Sequence, residues 1–201
     1  MNPRLPPPTS IRGQVKRWVA SRADRLVPTV VEVGARRKEG TWWADYRDVM
    51  PVPGTWIGVD LQGGPHVDVL ADICDERCAD YLRLMLQDRG EADGRCNTVI
   101  TTEMLEHVRH PLKALQNMLG ILRPGGSLLL STVFAWVFHE EPRDFWRFSV
   151  DGIRELALEA GFAEAEAEWG GLLITHTLND HGDIGDTKHK IHTHVFLTAT
   201  A

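Results

Sequence analysis

Short apolar segments alternate along this chain with segments that have the periodicity of helices. The apolar segments cover residues 29–33, 56–59, 67–70, 98–101 and 127–132. Each has the length of a buried strand, and uninterrupted apolar strands are typical of parallel sheets. The pattern therefore predicts an α/β fold in which helices cover a layered sheet.

The intervening segments carry apolar residues at helical spacing. Ser10 is placed to cap the first predicted helix, and Gly161 is placed to end the last. Near the C-terminus, residues 163–169 and 191–198 alternate in polarity and are predicted to pair as antiparallel strands. The predicted helices cover residues 11–26, 42–50, 80–88, 111–122 and 150–160.

The composition is that of an ordinary globular protein, with 43% hydrophobic and 25% charged residues among 201. We expect a single domain, with residues 1–27 as a proline-rich lead-in and helix and residues 28–201 as the main part. The net charge of −6 disfavours a nucleic-acid partner. No apolar run reaches the ~20 residues that a membrane helix needs, so no membrane partner is expected.

Cysteine and histidine residues are candidate metal ligands in this sequence, but no metal is predicted. Three cysteines without a secretory signal indicate reduced thiols and a cytoplasmic location. Cys74 and Cys78 would make half of a metal site, but no second pair completes it. The C-terminal histidines could meet in a hairpin, although such residues more often form the polar face of an outer strand. That set is His176, Asp180, His181, Asp183, His189, His192 and His194.

Three strand ends carry residues suited to a nucleotide-type cofactor. In a parallel sheet these ends line one crevice. Gly34 lets a ligand approach the backbone, Asp60 can accept hydrogen bonds from both hydroxyls of a ribose, and Asp72 can accept one from an adenine amino group. Taken singly, Gly34 has the alternative role of a turn glycine, Asp60 that of a helix cap or turn residue, and Asp72 that of an acidic loop residue. Their order and spacing together favour the cofactor site.

These motifs resemble those of class I S-adenosylmethionine-dependent methyltransferases of the small, single-domain type. Val31-Glu32-Val33-Gly34 resembles the first cofactor motif, Gly58-Val59-Asp60-Leu61 the ribose motif and Ala71-Asp72-Ile73 the adenine motif. The segment 103–108 followed by Pro111, and the turn at 122–126, resemble the motifs around the fourth and fifth strands. The first motif departs from the usual glycine-rich form at 35–39.

The resemblance implies a Rossmann-like three-layer sandwich whose seven-stranded, mostly parallel sheet has an antiparallel last strand. It implies S-adenosylmethionine as cofactor, and by similarity it assigns the contacts. Arg36 could pair with the methionine carboxylate or belong to a solvated basic loop. The implied cofactor-binding residues are Glu32, Gly34 and Arg36 at the methionine moiety, Asp60 and Leu61 at the ribose, Asp72 and Ile73 at the adenine, and Thr102 and Glu103 beneath the cofactor.

His107 and His139 are the candidate catalytic residues. A sulfonium methyl group is already activated, so the enzyme needs mainly to align the acceptor, and a general base helps when that acceptor is a hydroxyl. His107 follows the fourth strand, and His139 lies in the aromatic segment after the fifth. The alternative for either histidine is a structural hydrogen bond.

Aromatic and basic residues after the fifth strand are candidates for the acceptor pocket. They suit a compact polar or anionic molecule. The alternative is that the aromatic rings cover the sheet edge while Asp144 and Arg147 pair with each other; an exposed aromatic surface would also suit a homodimer contact or a lid. The predicted substrate-binding residues are Trp136, Arg143, Phe145, Trp146 and Arg147.

The leading functional hypothesis is transfer of a methyl group to an oxygen or nitrogen atom of a small-molecule or sugar-like acceptor. A dinucleotide-dependent oxidoreductase is disfavoured because Gly-x-Gly-x-x-Gly does not occur. A non-catalytic partner protein that binds S-adenosylmethionine is the remaining alternative, suggested by the irregular first motif.

Overall fold

Seven strands form one sheet in the computed structural model, which describes residues 11–37, 46, 54–139, 143–178 and 184–201, with only the backbone at 11–12 and 172–191. The order across the sheet is β3-β2-β1-β4-β5-β7-β6. The strands are β1 (Val30–Val33), β2 (Trp56–Asp60), β3 (Val69–Leu70), β4 (Cys96–Thr102), β5 (Leu122–Val133), β6 (Glu164–Leu178) and β7 (Ile184–Thr200).

The first five strands run parallel, and β7 lies antiparallel between β5 and β6. This confirms the predicted mostly parallel sheet with an antiparallel last strand. From β1 the chain moves outward to β2 and β3, then returns to place β4 on the other side of β1. The carboxyl ends of β1 and β4 therefore flank the point where the strand order reverses, which is where open α/β sheets bind ligands.

Helices lie on both faces of the sheet, as the three-layer prediction requires. On one face, Leu82, Leu115 and Ile153 belong to the same buried core as the strands. On the other face, the first helix packs through Trp18 in a second core with Phe196. The helices are α1 (Ile11–Ser21), α2 (Cys78–Asp88), α3 (Pro111–Ile121) and α4 (Val150–Ala160).

Most predicted elements occur with shifted ends. The first helix ends at Ser21 and is followed by a 3-10 turn at Ala23–Arg25, whereas the prediction ran to 26. The α4 helix has its predicted bounds because Ser149 Oγ accepts a hydrogen bond from the Gly152 amide and Gly161 ends the helix in a left-handed conformation. The predicted helix 42–50 lies outside the described residues except for Tyr46, which is buried.

The segment 123–126, predicted as a turn, lies within the bounds of β5. Its pairing with β4 passes from Cys96–Leu122 to Thr98–Ser127, so these four residues bulge out of the ladder. Backbone hydrogen bonds hold the bulge, since the Gly125 amide donates to the Ala201 carbonyl at 2.8 Å. Hydrogen bonds to Ala201 thus stabilise a bulge in the segment that the sequence predicts as a turn.

All three cysteines are unbridged, and Cys78 and Cys96 are buried. Among the described residues, no helix has the length and apolar content to cross a membrane.

Strand β6 passes very close to β7 at Gly170, which is paired with His194. A Cβ atom at this position would overlap the ring of Phe196. That ring stacks on Trp18 of α1, with ring centroids 4.8 Å apart. The contact between α1 and the sheet therefore depends on a residue without a side chain at position 170.

We expect Gly170→Ala to destabilise the protein by about 1–3 kcal/mol, because the added methyl group pushes the Phe196 ring away from Trp18. Glu166→Ala is the matched control, because Glu166 is an exposed residue of the same strand and its loss should change stability by less than ~0.5 kcal/mol. Equilibrium denaturation measures both. Equal midpoints for the two variants would contradict the close approach.

Candidate active site

The carboxyl end of β1 carries a buried acid followed by a glycine. Glu32 is only 2% exposed, pairs with Arg37 and accepts a hydrogen bond from Trp56 Nε1 at 3.3 Å. Gly34 has φ +78°, and a Cβ atom there would lie 2.8 Å from Met104 Cγ. A side chain at position 34 is therefore excluded both by the backbone conformation and by the Met104 side chain, which packs against this glycine.

Asp60 joins the loops after β1 and β2. Its Oδ2 accepts a hydrogen bond from the Arg36 amide at 3.0 Å, and its Oδ1 accepts one from the Gln62 amide at 2.9 Å. A carboxylate has about four acceptor positions, so each oxygen can still accept from a ligand. The adjacent Leu61 side chain is exposed.

The predicted adenine residues lie at the neighbouring strand end. The Ala71 amide donates to the Asp60 carbonyl at 3.0 Å, which places Asp72 and Ile73 beside the Asp60 loop. Asp72 Oδ1 accepts a hydrogen bond from the Cys74 amide at 2.8 Å, and Ile73 is buried. The structure thus brings the residues predicted at the ribose and the adenine to adjacent positions on one edge.

At the end of β4, Thr102 and Glu103 contact three residues that the sequence analysis did not predict as their partners, namely Tyr46, Ser131 and His194. Thr102 Oγ1 accepts a hydrogen bond from the Tyr46 hydroxyl at 3.2 Å, and burial raises the pKa of Tyr46. Glu103 has φ +52°, a conformation that is uncommon outside glycine. Its carboxylate accepts from Ser131 Oγ at 2.6 Å and contacts His194 Nε2 at 2.5 Å. Glu103 is therefore tied to both β5 and β7.

Glu106 follows in a 3-10 turn, Leu105–His107, and is completely buried. Its Oε2 accepts a hydrogen bond from Thr132 Oγ1 at 2.8 Å, whereas among the described residues its Oε1 has no hydrogen-bond partner. Burial, reinforced by the nearby charge of Glu103, raises the pKa of Glu106 to about 8. This carboxyl group therefore exchanges its proton in the neutral range instead of being ionised throughout it.

His107 turns one ring nitrogen toward that oxygen and the other toward the backbone. Its Nδ1 lies 2.5 Å from the Arg143 carbonyl, which can only accept, so Nδ1 carries the proton of the neutral ring. Its Nε2 lies 3.9 Å from Glu106 Oε1. The first contact braces the loop, as the structural alternative expects, and the second directs the other nitrogen toward Glu106.

His139 has the same arrangement, although it comes from the segment after β5. Its Nδ1 lies 3.1 Å from the Val137 carbonyl and 3.3 Å from Asp144 Oδ2, both of which are acceptors. Its Nε2 lies 3.9 Å from Glu106 Oε1, and the two imidazole rings meet edge to face with centroids 4.8 Å apart. The two predicted catalytic histidines thus converge on one buried carboxyl group. One ligand atom from each of Glu106, His107 and His139 lies within 4.8 Å of the others.

Asp144 and Arg147 hold the loop that carries these contacts. Both guanidinium Nη atoms reach the Asp144 carboxylate, at 2.5 and 2.8 Å, and Arg147 keeps the pKa of Asp144 well below its usual range. Asp144 also accepts a hydrogen bond from the His139 amide at 2.8 Å, while the Phe145 amide donates to the Glu106 carbonyl at 2.8 Å. The Asp144–Arg147 pair named above as the alternative is therefore formed, and it positions His139.

The predicted aromatic residues keep large exposed ring surfaces. Trp136, Phe145 and Trp146 are each about two fifths exposed. Trp136 packs edge-on to His194, and Trp146 Nε1 donates to the Val108 carbonyl at 2.9 Å. Predicted substrate residue Arg143 contributes its backbone carbonyl to the site, as described for His107.

A surface cavity of about 610 Å³ opens between the first turns of α3 and α4. Two of the predicted substrate-binding residues, Trp146 and Arg147, line this cavity. None of the nine predicted cofactor-binding residues, all of which are in the described part of the chain, lines it. The cavity and the cofactor crevice are therefore different features.

The C-terminal histidines are only partly described. His192 and His194 are two residues apart on β7, as predicted for one face, but they have separate partners. His192 stacks on Trp169 at 5.8 Å, and His194 contacts Glu103. The side chains of His176 and His189, and the residues Asp180, His181 and Asp183, lie outside what the structure describes.

Comparison with known proteins gives one matching family, described as "Methyltransferase domain", over residues 10–177. No protein with a curated description matches the chain. A methyltransferase from Archaeoglobus fulgidus that depends on S-adenosylmethionine matches in structure with a TM-score of 0.58 and 12% identity, covering 96% of this chain and 97% of that one.

Two further solved structures are similar. The 1,6-didemethyltoxoflavin-N1-methyltransferase of Burkholderia thailandensis, with 1,6-didemethyltoxoflavin and S-adenosylhomocysteine bound, has a TM-score of 0.53 and 16% identity over 92% of this chain and 76% of that one. The N-terminal domain of EvdMO1, in the presence of S-adenosylhomocysteine and D-fucose, has a TM-score of 0.55 and 17% identity over 94% and 83%. At these identities the likeness concerns the fold.

Two substitutions of Glu106 should differ in their effect on stability. Glu106→Gln keeps the shape of the protonated side chain and an acceptor for Thr132, so we expect a loss of at most ~1 kcal/mol at pH 7. Glu106→Ala leaves a cavity and an unsatisfied hydroxyl, which should cost about 2–4 kcal/mol. Denaturant unfolding in the presence of a chelator measures both. Equal losses would contradict a buried, neutral carboxyl group.

Proposed function

Because the chain belongs to the methyltransferase-domain family, it is an S-adenosylmethionine-dependent methyltransferase, and we propose that it methylates an oxygen or nitrogen atom of a small-molecule or sugar-like acceptor. The observation that carries the acceptor proposal is the convergence of His107 and His139 on buried Glu106. These groups follow β4 and β5 at the same edge of the sheet as the predicted cofactor residues. Family membership also removes the support for a dinucleotide-dependent oxidoreductase.

We assign the cofactor to the crevice at the carboxyl ends of β1, β2 and β3. Gly34 supports this assignment because it follows β1 in a left-handed conformation at the edge of the crevice, beside Glu32 and Arg36, where the methionine moiety would lie. Asp60 supports it because its carboxylate is already oriented by two amides and retains acceptor positions for a ribose. We place the remaining contacts at Leu61, Asp72, Ile73, Thr102 and Glu103.

We assign the acceptor to the space beside the two histidines. The cofactor supplies an activated methyl group on a sulfonium, so the chain has to orient the acceptor and accept its proton. An acceptor hydroxyl or amine near Glu106 would meet the Nε2 atoms of both histidines. The exposed rings of Trp136, Phe145 and Trp146 offer apolar surface for a compact ring.

The compounds named with the similar structures support a small acceptor. One structure holds 1,6-didemethyltoxoflavin and another was determined in the presence of D-fucose. Both compounds are much smaller than a protein or nucleic acid. We extend that size class, and not either compound, to this chain.

Asp60→Ala should weaken S-adenosylmethionine binding about 10- to 100-fold, because hydrogen bonds to a charged acceptor contribute roughly 1.5–3 kcal/mol. Asp88→Ala removes an equal charge from the exposed end of α2 and serves as control, with no expected change. Calorimetric titration with S-adenosylmethionine, S-adenosylhomocysteine and a nicotinamide dinucleotide measures both variants. Unchanged affinity in Asp60→Ala would refute the assigned crevice.

His107→Ala should lower kcat by roughly 100-fold or more, since positioned proton acceptors contribute about 10²–10⁴ in rate, while cofactor affinity changes little. A panel of sugars, phenols and amines is first screened for S-adenosylhomocysteine formation. Turnover and calorimetric cofactor binding are then compared with the best acceptor. Equal losses in both quantities would favour a purely structural role for His107, and no turnover with any class would refute the acceptor proposal.

A further inference from the structure

The groups that meet at the Leu105–His107 turn have the chemistry of a metal site. Glu106, His107 and His139 each offer one ligand atom, and these atoms lie within 4.8 Å of one another. We propose that Glu106 Oε1, His107 Nε2 and His139 Nε2 bind one divalent transition-metal ion that holds an oxygen-containing acceptor. The metal site follows from the geometry alone, whereas its role toward the acceptor rests on the proposed function.

The first argument is the buried oxygen of Glu106. Oε2 is occupied by Thr132, whereas among the described residues Oε1 has no hydrogen-bond partner. Buried polar atoms in folded proteins are nearly always satisfied, because leaving one without a partner costs free energy. The atom faces two imidazole nitrogens at 3.9 Å, too far for hydrogen bonds. A cation between the three groups would satisfy the oxygen.

The second argument is the hydrogen bonding of the two rings. Histidines that bind metals through one nitrogen almost always donate the other N–H to a carbonyl or carboxylate. Here His107 Nδ1 meets the Arg143 carbonyl, and His139 Nδ1 meets the Val137 carbonyl and Asp144. These partners fix the tautomer whose Nε2 can bind a cation. The Asp144 carboxylate is itself oriented by Arg147.

The third argument is the spacing. Metal bonds of about 2.0–2.2 Å to nitrogen and oxygen place neighbouring ligand atoms roughly 3.0–3.6 Å apart. Glu106 Oε1 lies 3.9 Å from each histidine Nε2, a few tenths of an ångström beyond this range, and the three ligand atoms together lie within 4.8 Å, so side-chain rotations also have to bring the two histidine nitrogens closer together. His139 is 27% exposed, so the cluster has one side open to solvent.

Ligand type selects the metal. Imidazole suits zinc, cobalt, nickel or iron, whereas magnesium and calcium prefer sites made of oxygen atoms. Two histidines and one carboxylate with open positions form the ligand set of catalytic rather than structural sites. We therefore choose Zn²⁺ and Co²⁺ as probes and Mg²⁺ as the comparison.

A cation here limits the proposed acceptors to hydroxyl compounds that carry a second oxygen on a neighbouring carbon. The two oxygens of such a compound could occupy two open coordination positions on the cation. The bound hydroxyl is more acidic and loses its proton to solvent water. Its oxygen lone pair forms the new O–CH₃ bond, and the S–CH₃ bond breaks with its electron pair remaining on sulfur. On this proposal His107 and His139 hold the cation, and this role replaces the direct acceptance of the proton described under the proposed function; His107→Ala would then lower kcat through loss of the metal.

The test starts with protein freed of metal by a chelator and dialysed, then titrated with ZnCl₂ in a calorimeter without cofactor or acceptor. We expect one tight site whose affinity falls at least tenfold in Glu106→Gln and in His139→Gln. His110→Gln, at an exposed histidine close by in sequence, is the control and should leave the affinity unchanged. Circular dichroism verifies that each variant is folded.

Two results would overturn the proposal. One is the absence of tight zinc binding to the parent protein. The other is zinc binding that survives Glu106→Gln and His139→Gln, which would place the metal elsewhere, such as at the C-terminal histidines. A Co²⁺ visible spectrum that is lost in Glu106→Gln would support it, and Mg²⁺ should compete poorly.

A parallel experiment separates this proposal from the proposed function. S-adenosylmethionine binding is titrated with and without chelator, and methyl transfer to the best hydroxyl acceptor is followed under the same conditions. Transfer that stops in chelator and returns with Zn²⁺ or Co²⁺ supports the role of the metal, and undiminished transfer in chelator overturns it. Zinc binding without any cofactor binding would instead count against the assigned cofactor crevice.

Discussion

The parallel pairing of β1 with β4 is the constraint on which the site depends. Four consecutive residues of β1 pair with β4 in register, from Val30–Thr98 to Val33–Thr101. The strands β2 and β3 lie on the other side of β1. The loops that follow β1 and β4 therefore start at the carboxyl ends of two neighbouring strands and lead away in opposite directions. Gly34 and Glu103 are therefore brought to adjacent strand ends although they are far apart in sequence.

Backbone hydrogen bonds then attach the aromatic segment to this frame. The amides of Phe145 and Trp146 both point at the Glu106 carbonyl, and the Phe148 amide donates to Val133. A buried turn after β4 thus serves as the template for the segment after β5. The chemistry of the site arises where these two segments meet, because His107 belongs to the first and His139 to the second.

The sequence was sufficient for the sheet and for the residues at its strand ends. Apolar runs ending in Gly34, Asp60 or Asp72 carry local information, since strand polarity fixes the edge at which their ends emerge. The cluster of Glu106, His107 and His139 could not be predicted from the sequence. No residue near Glu106 in sequence indicates that its side chain is fully buried or that His139 lies beside it in the fold. The contact of His194 with Glu103 depends likewise on the register of β7, and the bulge at 123–126 depends on hydrogen bonds to the distant Ala201. Each requires knowledge of which distant segments touch.

The two amides on Asp60 have a thermodynamic consequence. A carboxylate on a flexible loop must give up rotational freedom when a ligand arrives, and that entropy is subtracted from the affinity. The Arg36 and Gln62 amides already fix both oxygens of Asp60. The entropy lost in ordering the Asp60 side chain is therefore lost when the protein folds and not when a ligand binds. A diol that binds there meets a carboxylate that is already in a fixed orientation.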